Sequence, residues 1–150
     1  ARCSRGNVGR MNDEGRIREL TAKYAAAWNP KDGPWDGEVF KDLFALGDIS
    51  VFDNVQGDVV VIGDVDSYID TWTPFMAPLT YWALRLDDLT VEVSGDLAFT
   101  TFKLVGTDTR GPDGSRIPFG QYGTHVWRND INLGWRIVHE HLTVYDTNKT

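Results

Sequence analysis

Trp135-Arg136-Ile137-Val138-His139-Glu140-His141-Leu142-Thr143 alternates bulky and polar side chains along most of its length. A β-strand with two unlike faces requires that pattern, because successive side chains point to opposite sides of a sheet. Nothing in the stretch has helical spacing. Working outward, Asn129–Gly134 is a short polar loop, and Arg116–Arg128 on its far side is a second long strand. All three histidines, His125, His139 and His141, fall in this pair. A pair of this length needs a broad surface to pack on, so the rest of the chain must supply one.

The remaining segments are read as follows. Ile17, Leu20, Thr21, Tyr24 and Trp28 make one stripe of a 3.6-residue period, which predicts a helix over 13–28 with Asn12 as its cap and Pro30 ending it. A second helix is expected over 38–46, stopped by Gly47. Ile49–Phe52 reads as a short strand broken by Asp53-Asn54, and Val59–Ile62 as an edge strand or the run into a helix. Asp64 caps that next helix, whose buried stripe is Val65, Tyr68, Ile69 and Trp72, and Pro74 and Pro78 close it. From Thr80 onward every segment is strand. The apolar parity changes between Leu84/Leu86 and Leu89/Val91/Val93, which predicts a β-bulge near Asp87-Asp88. Ser94-Gly95-Asp96 is a tight turn, and Arg110–Ser115 a longer one. The expected fold is α+β: a curved, antiparallel, cone-shaped sheet packed on N-terminal helices, with a cavity at its open end.

Composition narrows the functional classes. The 150 residues are 41% hydrophobic and 25% charged, which fits one domain over 13–150 behind a polar tail over 1–12. A net charge of -7 without a basic run excludes a nucleic-acid backbone as partner. No apolar stretch approaches the roughly 20 residues that span a bilayer, so no membrane partner is expected. Cys3, alone, forms no internal disulfide, and a cytoplasmic setting is the default expectation.

Four segments resemble the nuclear transport factor 2-like superfamily, whose fold is also described as cystatin-like. Gly134–Thr143 looks like the closing strand of SnoaL-like domains. Thr124-His125-Val126-Trp127 is similar to a run before the last hairpin loop of the calcium/calmodulin-dependent protein kinase II association domain. Tyr24-Ala25-Ala26-Ala27-Trp28-Asn29-Pro30-Lys31-Asp32 resembles the end of the first helix of ketosteroid isomerases, and Val51-Phe52-Asp53-Asn54 their aspartate-bearing stretch.

The resemblance implies roles. Asp53 would be the general base, its pKa raised by desolvation at the mouth of an apolar cone; alternatively Asp53-Asn54 is simply turn chemistry. Tyr24 would be an oxyanion donor, or else a core tyrosine. His125 replaces a cavity arginine of the association domain and a protonated aspartate of the isomerases, and imidazole can act as acid, base or donor. Lys103 roughly matches a second cavity arginine; with His125 it would favour a carboxylate- or enolate-bearing ligand, or else it is a solvated strand residue. Trp35 and Trp72 are further expected ligand contacts. Counted with His125, His139 and His141 reach the number found in some zinc sites, but the resemblance turns those two away from the cavity and Glu140 and Leu142 toward it. No metal and no cofactor are expected. The implied activity is isomerisation, dehydration or cyclisation by proton transfer beside a carbonyl of a small hydrophobic ligand, in a homodimer or larger assembly. The alternative is a non-catalytic oligomerisation or ligand-sensing module.

Overall fold

A computed structural model describes residues 7–30, 34–55, 57–79 and 81–149. Cys3, Lys31, Asp32 and Thr80 lie outside them. The first helix, α1 (Asn7–Ala27), starts at Asn7 rather than Asp13. Nothing between Asn7 and Asn12 except Gly9 opposes helix, so Asn12 does not act as a cap. Its expected stripe is the buried one: Ile17, Leu20, Thr21, Tyr24 and Trp28 are all core. A short 3-10 helix (Gly37–Asp42) stands where a second α-helix was expected, capped by the Asp36 carboxylate on the Glu38 N–H.

The next strand, β1 (Ser50–Val55), does not break at Asp53-Asn54. Both residues pair with β2 (Asp58–Ile62), Asp53 opposite Val60 and Asn54 opposite Val59, and the turn comes later, where Gly57 adopts φ +92°. Asp64 caps α2 (Val65–Met76) by accepting from the Ser67 N–H at 2.7 Å. This helix runs through Pro74 before it ends. Then come β3 (Tyr81–Ser94), β4 (Leu97–Arg110), β5 (Gly120–Asp130) and β6 (Gly134–Val144). The expected bulge in β3 is present: register shifts between Asp87 and Thr90, and Asp88 takes φ +52°. The strand expected from Arg116 begins only at Gly120. Pro118 has no N–H for a ladder, and Ile117 and Phe119 bond instead to Thr109 and Gly106.

The six strands form one curved sheet in the order β2-β1-β6-β5-β4-β3. All neighbours are antiparallel except β1 and β6. That parallel contact puts an early short strand against the last one, at the centre of the sheet. The helices cover the concave face, whose inward residues include Ala98, Thr100, Phe102 and Leu104 of β4 and His125 and Trp127 of β5. This is the α+β cone expected from the sequence, its two short strands β1 and β2 paired at one side of the four long ones.

Candidate active site

Strict alternation along β6 would place Trp135, Ile137, His139 and His141 on one face. The register with β5 shows otherwise: Trp127 pairs with Ile137, but Val126 pairs with His139. Val138 is thus an extra residue, a bulge that resets the faces. Trp135 and Ile137 are buried before it, Glu140 and Leu142 after it, and His141 is exposed. Glu140 then stands opposite His125 of β5 and beside Val51 of β1. Val51 and Asp53 face inward, while Phe52 faces out against His139 and His141, at ring-centroid distances of 5.4 and 6.2 Å. Three adjacent strands therefore present Asp53, Glu140 and His125 to one spot.

Helices supply the rest. Tyr68 of α2 donates its hydroxyl to Glu140 Oε1 at 2.8 Å. His125 Nε2 lies 2.7 Å from Glu140 Oε2. Tyr24 of α1 packs edge-on against the His125 ring at 4.4 Å between centroids. Asp53, His125, Glu140, Tyr24 and Tyr68 all have 0% exposure. Neither Asp53 oxygen, nor the Tyr24 hydroxyl, nor His125 Nδ1 has a hydrogen-bond partner of ordinary geometry.

The two carboxyls cannot both ionise there. Burial first, and the charge of Glu140 second, push Asp53 up to about 11, with a backbone contact from Leu142 opposing only in part. Burial would raise Glu140 as well, but the hydrogen bond and charge of His125, with Asp53 and Tyr24 assisting, hold it below the ordinary carboxylate range. Asp53 is therefore the neutral acid and Glu140 the carboxylate. An ionised Glu140 only accepts, so the hydrogen on the shared bond belongs to His125 Nε2. Burial, followed by the charge of Glu140, also keeps Tyr24 and Tyr68 as hydroxyls, well above the usual phenol range. Tyr68→Phe bares Glu140 Oε1 and is expected to cost about 2 kcal/mol in urea unfolding.

Next to this cluster lies an apolar cavity of about 670 Å³, walled by Trp28, Trp72, Trp82, Leu104, Phe119 and Leu142 among others. Among the described residues, none that lines it is charged. Leu142 and Trp28 belong both to the cavity wall and to the surroundings of the cluster, Trp28 lying 6.2 Å from the Tyr24 ring. Gly123 makes the partition possible. A Cβ there would meet the Phe102 ring at 2.4 Å and Leu142 Cδ2 at 2.9 Å, so those two side chains close over bare backbone. Gly123→Ala is expected to lower stability by about 1–3 kcal/mol in denaturant titration, the cost of overpacking.

A family model for the SnoaL-like domain matches residues 17–147. The chain belongs to the SnoaL-like domain family. No curated protein matches the sequence significantly. Among solved structures, this SnoaL-like domain is similar to a candidate dehydratase of the NTF2-like family from Streptomyces avermitilis, at 18% identity and TM-score 0.71 over 91% of this chain and 98% of that one. It is also similar to a candidate ketosteroid isomerase from Parabacteroides distasonis, at 17% identity and TM-score 0.62 over 99% and 96% of the two chains. The calcium/calmodulin-dependent kinase II hub of S. rosetta matches at 20% identity and TM-score 0.63 over 86% and 91%. These likenesses are of fold.

Within the SnoaL-like domain, Tyr24, Asp53, His125 and Glu140 come together, but behind the cavity wall rather than in the cavity. Leu142 and Trp72 line the cavity. Trp35 does not; it stacks behind Trp28 at 6.0 Å. Lys103 faces the opposite side of the sheet, 3.1 Å from Asp88 and over the Tyr122 ring, because it sits one residue out of phase with inward Phe102 and Leu104. An anionic ligand therefore loses its expected cation. His125 points in while His139 and His141 lie on the outer face, so the three do not converge. Tyr68 was assigned to a buried stripe but not to the site; its signal was a hydroxyl on an otherwise apolar helix face. No described helix is long and apolar enough to cross a membrane.

Proposed function

We propose that this SnoaL-like domain is a cofactor-free enzyme that moves a proton on the carbon beside a carbonyl, in an isomerisation, dehydration or cyclisation. The substrate is a small, largely apolar, neutral molecule held in the cavity. The observation that carries the reading is the convergence of Asp53, Glu140 and His125, fully buried, from three adjacent strands beside that cavity, where burial and the charge of Glu140 raise Asp53 while His125 lowers Glu140. Two carboxyls pushed apart in this way supply an acid and a base at the same pH. Asp53 takes the role of donor to the substrate oxygen, with Tyr24 beside it, rather than the role of base. Glu140, the ionised carboxyl, takes the proton from carbon, and His125 holds it in place through Nε2. Leu142 must swing off Gly123 to admit the reacting end.

Solvent deuterium exchange tests this directly. Incubated in D2O with 2-tetralone, the wild-type protein should accelerate label entry beside the carbonyl, and His125→Gln should not. Failure to accelerate exchange in 2-tetralone and a panel of other cyclic ketones rejects the reading.

The outer sheet face supports pairing of copies as well. Phe52, Leu97, Phe99 and Tyr122 stand there, 39–48% exposed, more apolar area than a monomer usually leaves in water. Phe99→Asp should turn a dimer into a monomer in sedimentation velocity; a wild-type monomer removes the assignment. A larger ring without exchange activity would favour the oligomerisation-module reading. We place the protein in a reducing, cytoplasmic setting.

A further inference from the structure

We propose that Gln121 is the polar anchor of the cavity, and that the ligand is a neutral, elongated molecule that offers it a carbonyl or hydroxyl oxygen. The inference rests on the reading of the cavity as the substrate site. Gln121 is 6% exposed and faces inward from β5. It stands between Leu104 of β4 and Val144 of β6 in the ladder, and all three line the cavity. Its amide makes no hydrogen bond to another described residue, and it is not among the sealed polar atoms such as the Trp28 and Trp72 indole nitrogens. It therefore opens onto the cavity.

A buried amide between two aliphatic side chains is unfavourable without a partner, and an apolar residue of the same volume would fill that wall at lower cost. A guest completes it. The amide carries both a donor and an acceptor, so it suits a hydroxyl or carbonyl. The absence of charge among the described lining residues disfavours a carboxylate, which they would leave buried unpaired. The distance adds a shape. Gln121, Gly123 and His125 follow one another on the inward face of β5, which puts the anchor roughly 13 Å from the imidazole along the strand. A molecule held at Gln121 and reacting at the acid cluster is thus long, apolar in the middle and oxygenated at both ends.

The test uses the full chain and three probes of one shape: fluorene, 9-fluorenone and fluorene-9-carboxylate, each titrated calorimetrically. Wild type should bind fluorenone about tenfold tighter than fluorene, the worth of one hydrogen bond to an otherwise unpaired group, and the carboxylate weakest. Gln121→Met should hold fluorene unchanged and lose the preference for the ketone. Gln121→Leu, which likewise removes donor and acceptor, should lose it too and covers a failure of the first variant to fold. Equal binding of ketone and hydrocarbon, a preference that survives both variants, carboxylate binding as tight as ketone, or no binding of either neutral probe each overturns the proposal. Binding is read without turnover. Its failure leaves the deuterium-exchange result to stand alone, and a failed exchange leaves the anchor standing.

Discussion

Asp53→Asn is expected to give a folded protein that has lost turnover and become more stable at alkaline pH. In the unfolded chain this carboxyl titrates near ~3.9; in the folded chain it is pushed up to about 11. Between those values the folded protein holds a proton that the unfolded chain has released. The stability tied to Asp53 is therefore complete below the unfolded value and drains away as pH rises toward the folded one. Asparagine matches the neutral acid in size and carries no such proton, so the loss disappears. At pH 8 the variant should be more stable by at least ~2 kcal/mol, with a flatter stability profile from pH 5 to 9. Turnover should fall on the order of a thousandfold, because the amide cannot give up a proton to the substrate. Urea unfolding at pH 5 and pH 9 decides the matter: equal destabilisation at both would show that Asp53 carries no buried proton.

Glu140→Ala should have the opposite effect on the fold. It removes the acceptor of two buried hydrogen bonds, from Tyr68 and from His125. Both donors are left buried without their acceptor, and the cost is expected at about 3–5 kcal/mol. The change also deletes the charge that helps keep Asp53 protonated, so Asp53 should titrate lower and the pH dependence of stability should shrink. A small loss in urea unfolding, below about 1 kcal/mol, would mean that the cluster is wetter or looser than its geometry implies.

Much of the scaffold is legible from residue spacing. The stripe from Ile17 to Trp28 is the buried face of α1, and the parity change after Leu86 marks the bulge at Asp88. Local sequence carries both, because each is a matter of which side of one element meets water. The site is harder to read for two reasons. Asp53-Asn54 looks like a turn and is kept in a strand by Val59 and Val60, partners that only the hairpin supplies. The protonation of Asp53 depends on Glu140, far along the chain, and burial alone would not assign which carboxyl stays neutral. Lys103 fails differently: the borrowed position was out of phase with the local ladder by one residue. Tyr68 entered the site through its partner across the fold, which no spacing reveals.

The offset at Val138 has a consequence for how such an interior can change over time. Pairing Val138 regularly, with no bulge, would restore even alternation through it and rotate the end of the last strand by half a turn. Glu140 and Leu142 would be carried to the outside, and His139 and His141 brought in. A one-residue slip of this ladder is thus enough to exchange the buried carboxylate for imidazoles, and to hand the outer sheet face a carboxylate in the same step.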